Sequence, residues 1–333
     1  MLTLGVVGTN WITQQFVEAA AASEEYQLTS TYSRHEDTGQ AFADKNGGQV
    51  FTDFDQFLRD GNAQVIYIAS PNSLHAKQAL AAINADKQVI VEKPLVSNPQ
   101  EFAQIKAALA AHPDVRLFEA ARQIHQPNFR AIRKQIAAME TLNGAMLTYM
   151  KYSSRYDDVL AGKDPNVFTT TYSGGALQDL GVYVVYDAVA WFGKPNRVHY
   201  YATPIRTGAD GKGVAVFGYD NFDVTLNFGK TTNSYLPSEV YGLKDTIVMD
   251  NAAELNSVIY HAADGSTKKL SEEPDDNPML AEVRDFAEVI NNPKDPDNAR
   301  HYQTWFHLSE IVNGVLYDLR RKASLVFPAD SQD

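Results

Sequence analysis

Apolar residues in the first third of the chain fall into short runs bounded by polar or turn-forming residues. The runs at 2–7, 27–32, 65–69, 88–92 and 116–120 read as strands. Between them, 11–22, 38–46, 73–85 and 99–111 are Ala-rich or carry apolar residues at helical spacing. A strand joined to the next by a helix returns parallel to it, and right-handed crossovers of this kind build a doubly wound sheet. Residues 1–121 are therefore expected to form a doubly wound α/β domain of the Rossmann type.

After a further helix at 128–139 the pattern changes. Longer alternating strands are expected at 145–152, 198–203, 214–217 and 222–228, separated by turns such as Asp220-Asn221. One prominent internal helix is expected at 175–192, with further helices at 280–290 and 302–322, while 272–278 and 291–298 read as surface loops. Residues 122–333 are thus expected to be an α+β domain, with an open, mostly antiparallel sheet and helices on one side. An open sheet leaves an apolar face in water, so a homodimer or higher homo-oligomer is expected.

Composition narrows the chemistry. With 333 residues and 44% of them hydrophobic, the chain can bury two cores. A formal charge of -12, with acidic and basic residues interspersed, disfavours nucleic acid as a partner. Without cysteine there are no disulfides, thiolate metal sites or cysteine nucleophiles, and the 8 histidines lack the helical pairing of zinc enzymes, so no metal is expected. No apolar run reaches the ~20 residues of a membrane span, and Met1 leads directly into a strand pattern; a cytoplasmic protein without membrane association is expected.

The first strand runs into Gly8-Thr9-Asn10-Trp11-Ile12-Thr13 and a helix, the place where a dinucleotide-binding domain turns tightly to aim amides at a pyrophosphate. Only Gly8 matches the Gly-x-Gly-x-x-Gly pattern; Asn10 and Thr13 hold the other two places, though Asn tolerates positive φ. On this motif alone, Gly8 could equally be a plain strand-to-helix turn. After the second strand stand Ser33, Arg34 and His35, where NAD enzymes usually place an acidic residue for the ribose hydroxyls. A guanidinium suits a 2′-phosphate, so NADP is expected ahead of NAD; the competing reading makes Arg34 a solvated loop residue and leaves Glu36 or Asp37 to serve NAD.

Two later runs are more specific. The first is 65–75, ending in Ser70-Pro71-Asn72-Ser73-Leu74-His75, followed after a helix by Val91-Glu92-Lys93-Pro94. The second is Ser173-Gly174-Gly175-Ala176-Leu177-Gln178-Asp179-Leu180-Gly181-Val182-Tyr183. Asp179 and Tyr183 are four apart on the expected helix, which would project both from one face while Leu177, Leu180, Val184 and Trp191 turn toward the core. Taken together, the two runs resemble the signatures of the Gfo/Idh/MocA oxidoreductase family over nearly the whole chain.

That resemblance implies reversible hydride transfer between a nicotinamide cofactor and a hydroxyl or carbonyl carbon of a sugar, polyol or cyclic diol. It implies that Lys93 binds the reacting oxygen, that Asp179 binds substrate hydroxyls, and that Tyr183 serves as acid or base. A free tyrosine, with a pKa about 10, is too protonated at neutral pH to act as base unless a cation helps, and Lys93 can be that cation. The resemblance also implies Glu92 near the cofactor ribose, Pro94 in a cis peptide, and Ser70, Pro71, Asn72 and His75 around the nicotinamide, with a helix-start role for His75 as the competing reading. Tyr183 stands where most of the family has His, as in glucose-fructose oxidoreductase and dihydrodiol dehydrogenase, which points away from typical inositol dehydrogenases. Taken singly, each residue has a plainer reading: a surface lysine, a solvated carboxylate, a packing tyrosine.

Arg122 and His125 follow a strand of the first domain, where open α/β sheets bind ligands, and are expected to border the substrate. Arg155 is a third substrate candidate, or else a surface partner of Asp157 or Asp158. The rival from another class is a non-catalytic, dinucleotide-sensing regulatory protein of the same fold; the intact Lys93, Asp179 and Tyr183 favour the enzyme.

Overall fold

A computed structural model describes residues 1–331. Its first half alternates strand and helix: β1 (Leu2–Val7), α1 (Trp11–Ser23), β2 (Tyr26–Tyr32), α2 (Glu36–Asn46), β3 (Gln49–Phe51), α3 (Phe54–Asp60), β4 (Val65–Ile68), α4 (His75–Asn84), β5 (Gln88–Glu92), α5 (Pro99–Ala111) and β6 (Leu117–Ala120). Caps fix several helix starts. Asn10, Asp53 and Asn98 each accept backbone N–H groups of the first turn, and Pro99 follows its cap where a missing N–H costs nothing. The strands form one all-parallel sheet in the order β3-β2-β1-β4-β5-β6. The short β3 and α3 are additions to the pattern read from sequence; three residues of strand show no usable alternation.

Later elements are α6 (Pro127–Ala138), β7 (Gly144–Met150), α7 (Arg155–Leu160), α8 (Val182–Phe192), β8 (Arg197–Pro204), β9 (Asp210–Gly218), β10 (Asp223–Gly229), β11 (Ser238–Tyr241), β12 (Thr246–Met249), β13 (Val258–His261), β14 (Thr267–Lys269), α9 (Leu280–Asn291) and α10 (Pro296–Lys322). The eight strands form a second sheet, β14-β13-β12-β11-β7-β10-β9-β8, in which β7 and β10 pair parallel and every other pair is antiparallel. α8 packs on β7 and β10, the parallel pair inside that sheet.

The chain divides into two compact units, and the division is not a single cut. The first comprises Met1–Arg122 and Asp275–Ser309; the second comprises Gln123–Pro274 and the chain from Glu310 onward. The expected blocks 1–121 and 122–333 therefore miss the return of α9 and the first part of α10 to the first unit. The reason is an uncovered sheet face. α3, α4 and α5 bury one side of the parallel sheet, whereas the other has α1 and needs more apolar cover. α9 supplies it with Met279, Val283, Phe286, Ala287 and Val289, packed with Val65, Ile90 and Phe118. Phe118 stacks on Phe286 with centroids 4.6 Å apart, and the Tyr26 hydroxyl donates to the Val283 carbonyl at 3.2 Å. Burying those five side chains stabilises the first unit by several kcal/mol.

Candidate active site

In the first unit the chain reverses strand order between β1 and β4, and the loops at their carboxyl ends lie side by side. Gly8 has φ +99, and a Cβ there would stand 3.0 Å from the Ala69 carbonyl oxygen, so the turn requires glycine. Asn10 occupies the second glycine's place as a helix cap. Its Oδ1 accepts from the N–H groups of Ile12 (3.0 Å) and Thr13 (3.1 Å), while its amide donates to the Ala69 carbonyl at 2.9 Å. Trp11 is 75% exposed beside this turn. The cradle at Gly8 and the N-terminal amides of α1 fit a dinucleotide pyrophosphate. Beyond β2, the buried Ser33 hydroxyl meets the Thr38 hydroxyl at 2.7 Å and accepts from His35 N–H, leaving Arg34 exposed at the head of the loop.

His75 opens α4, buried, with Nδ1 2.9 Å from the Pro94 carbonyl and Nε2 2.8 Å from the Ser70 carbonyl. Burial lowers its pKa, and the Lys93 charge lowers it further. The ring lies between the end of β4 and the segment after β5; as a neutral imidazole it donates its single N–H to one of these two carbonyls. The Lys93-Pro94 peptide is cis. Glu92, expected at the ribose, is buried and accepts from the Tyr67 hydroxyl at 2.7 Å. Burial raises its pKa, opposed by Lys93, Tyr67 and Arg122. Tyr67 lies flat on Phe16 with centroids 3.7 Å apart, so the Glu92 carboxyl is anchored inside the unit.

Sequence reasoning missed Glu282. α9 carries it to complete burial, its carboxylate oxygens have no hydrogen-bond partner among the described residues, and its pKa is raised well above normal by burial and then by Glu92, with Arg122 opposing. Arg122, expected to border the substrate, is buried and interacts with both of these carboxylates. Nothing in the pattern of α9 signals such a role, because the helix reads as part of a different domain.

In the second unit the second signature departs from the expected α-helix. Leu177–Gly181 is a π-helical turn that leads into α8. A π turn carries more residues per revolution than an α turn, yet residues four apart still lie close to one face, so the spacing of Asp179 and Tyr183 tolerates the departure. Asp179 meets the Lys230 ammonium, its Oδ2 2.5 Å from Nζ. Tyr183 is buried, edge-to-face with Tyr149 (centroids 5.4 Å apart, planes at 69°), and its carbonyl accepts from Gln123 at 3.5 Å. Leu177, Val184 and Trp191 are buried as expected, while Leu180 is half-buried.

Gly175 has φ +136, and a Cβ there would stand 2.0 Å from Asp210 Oδ1. Asp210 is buried; its Oδ2 accepts from Leu177 N–H at 2.7 Å and the Tyr200 hydroxyl at 2.6 Å. The glycine thus admits the carboxylate that caps the π turn. Neither Asp210 nor Lys230 belongs to a local motif, so sequence reading had no handle on them.

The remaining candidates separate. His125 is buried at the end of the short 3-10 segment Arg122–His125. Arg155 is exposed and 3.8 Å from Asp158, three residues on, which is the surface-pair alternative to anion binding. Beside Tyr149 lies a cavity of about 200 Å³ lined by Lys151, Asn233, Ser234, Asn251 and Glu254 among others. Among the described residues, no group of three or more His, Asp or Glu is placed to hold a metal, and no helix is long and apolar enough to cross a membrane.

A parallel sheet of this order, with a glycine and a capping asparagine at the strand reversal, is the architecture of a dinucleotide-binding domain. The profile described as "Oxidoreductase family, NAD-binding Rossmann fold" matches residues 2–120. The chain is 36% identical to the uncharacterized oxidoreductase YgjR of Escherichia coli over 99% of both chains. It is 34% identical to the scyllo-inositol 2-dehydrogenase (NADP(+)) IolU of Bacillus subtilis, again over 99% of both. A solved 3-ketoreductase from Actinomadura kijaniata, KijD10, in complex with NADP and TDP-benzene superposes with a TM-score of 0.84 at 19% identity, covering 96% of this chain and 97% of that one. The chain belongs to the Gfo/Idh/MocA family and is an NAD(P)-dependent oxidoreductase.

Proposed function

We propose that the protein transfers a hydride reversibly between NADP(H) and a hydroxyl-bearing or carbonyl carbon of a sugar, polyol or cyclic diol. The observation that carries this reading is Lys93, which follows β5 in the segment that lies across the His75 ring from the end of β4. Gly8, Asn10 and the first amides of α1 would hold the pyrophosphate, and Ser33 and Arg34 the 2′-phosphate. When bound, the nicotinamide accepts or returns the hydride.

The chain's own residues handle the proton and the oxygen. The Lys93 ammonium holds the reacting oxygen and favours its anionic form; Tyr183 takes the hydroxyl proton during oxidation and returns it during reduction. Asp179 accepts hydrogen bonds from neighbouring hydroxyls and so orients the ring. Similarity to a scyllo-inositol dehydrogenase over the full chain supports cyclic polyols within the substrate class, so Tyr183 is no argument against them. The polar lining of the cavity beside Tyr149 suits a hydroxyl-rich ligand.

The test is replacement of Lys93 by Met, assayed against a panel of polyols, sugars and diols with both cofactors. Turnover should fall at least ~1000-fold while NADPH binding, followed by fluorescence, stays within a factor of a few. Undiminished turnover would sink the assignment. Wild-type protein that binds NADPH yet turns over nothing in the panel would point to a sensor instead.

We also infer a cytoplasmic homodimer formed through the uncovered face of the second sheet. His199, Val216, Thr225, Met146, Glu239, Val248 and Ile259 follow one cross-strand row there, and Met146, Tyr201, Val214 and Ile259 are exposed. A monomer by light scattering at micromolar concentration would contradict it.

A further inference from the structure

Lys230 follows β10 directly, where its N–H extends the ladder to the Gly211 carbonyl at 2.8 Å and its own carbonyl accepts from Ser153 N–H at 2.9 Å. Backbone pairing on both sides fixes the position from which its side chain leaves the sheet. That side chain runs inward: it is 2% exposed, whereas the Asp179 side chain it meets is 34% exposed. The ammonium has three partners. Asp179 Oδ2 is 2.5 Å away, the Val167 carbonyl 3.1 Å, and the centre of the Phe168 ring 4.3 Å, with the cation over the ring face.

We propose that Lys230 is a positioning residue for the hydride-transfer reaction, holding the Asp179 carboxylate charged and aimed at the substrate hydroxyls without touching substrate itself. The inference rests on the reading of Asp179 as the hydroxyl-binding carboxylate. Its physical basis is the asymmetry of exposure within the pair. A lysine whose three donors are taken by a carboxylate, a carbonyl and a ring face has none left for a ligand, whereas a one-third exposed carboxylate faces outward.

A buried ammonium is retained only where it is paired, because its desolvation must be offset by a close anion. Lys230 and Asp179 therefore enforce one another's placement. The π turn that carries Asp179 is held from the other side by Asp210, which accepts from Leu177 N–H and Tyr200 and lies within the field of Lys230. Charged and titratable groups around the pair in this unit include Asp210 and Tyr200. Removing Lys230 takes away a positive charge that faces Asp179 and leaves the Asp210 carboxyl in place on the sheet side.

The experiment compares wild type, Lys230→Met and Lys230→Gln in kcat/KM against pH, using a substrate and cofactor already shown to be turned over by wild type. Met keeps most of the length and removes the charge; Gln keeps a donor for Asp179 but no charge. Folding is checked by circular dichroism and NADPH binding. The expected result is a ~10- to 100-fold fall in kcat/KM at neutral pH with NADPH affinity unchanged. The acid limb should move up by about a unit, because a carboxylate without its cation protonates more readily. Lys230→Gln should recover part of the magnitude but none of the shift. A folded variant with kcat/KM within twofold of wild type and an unmoved acid limb overturns the inference while leaving the hydride-transfer reading intact. If Lys230→Met does not fold, Lys230→Gln decides by the same limb. If wild type turns over no substrate, the reaction itself is refuted, and with it the positioning role of Lys230.

Discussion

Gly175→Ala isolates the device that shapes the second signature. The added Cβ would stand 2.0 Å from Asp210 Oδ1, and the backbone there has φ +136, a region that residues with a side chain rarely adopt. Asp210 cannot swing aside cheaply, because its Oδ2 is held by Leu177 N–H at 2.7 Å and the Tyr200 hydroxyl at 2.6 Å. Backbone strain of this kind costs about 1–3 kcal/mol, and hydrogen bonds involving a charged group are worth about 1.5–3 kcal/mol each. Loss of one bond plus the strain gives a destabilisation of about 2.5–6 kcal/mol. Gly162→Ala is the internal control: φ is +85 there, with open space around the position, so only about 1–2 kcal/mol of conformational cost applies. Urea denaturation followed by circular dichroism should show the midpoint falling far more for Gly175→Ala than for Gly162→Ala. Equal losses in the two variants would refute the claim that the glycine makes room for Asp210.

Further outcomes are expected. Arg34→Ala should lower kcat/KM for NADPH ~10- to 100-fold and change that for NADH by less than about threefold; equal losses with both cofactors would remove Arg34 from the 2′-phosphate. Asp187, on α8, is fully buried, and burial raises its pKa well above that of a free aspartate, with nearby Gln123 opposing. An unfolded aspartate ionises near pH ~3.9, so the stability linked to this group is complete below about pH 4 and is lost as pH rises through the folded value. Asp187→Asn stays neutral throughout; its unfolding free energy relative to wild type, read from urea denaturation, should climb between pH 4 and pH 8, by about 1.4 kcal/mol per pH unit within the titration window. A constant difference across that range would show that Asp187 does not titrate this way. Tyr67→Phe should leave NADPH binding near normal and lower the melting temperature by a few degrees, since Glu92 loses a buried donor; an unchanged melting temperature would contradict the anchoring of Glu92.

Much of the molecule is legible along the chain, where the governing forces are local. Alternation and helical spacing give the β1–α1–β2 rhythm and the switch to longer strands after α6, because period and burial are linked residue by residue. Gly8 and Asn10 announce their turn through conformational preference and capping, and the cis bond before Pro94 is implied by the Glu-Lys-Pro run. Short elements such as β3 and α3 escape such a reading, since a few residues hold too little periodicity to register.

Tertiary structure decided what depends on groups far apart in sequence. The return of α9 to the first unit follows from a sheet face that only a packed molecule leaves bare. The burial of Glu92 against Tyr67, and of Glu282 near it, follows from the same packing. In the second unit the sequence supplied Asp179 and Tyr183 as chemistry but set them on a regular helix. The π turn, capped by Asp210, sets Asp179 against Lys230, and Tyr183 packs edge-to-face on Tyr149. Local propensity chooses the side chains at each position; which of them is left to neutralise a buried charge is fixed only when distant strands close around it.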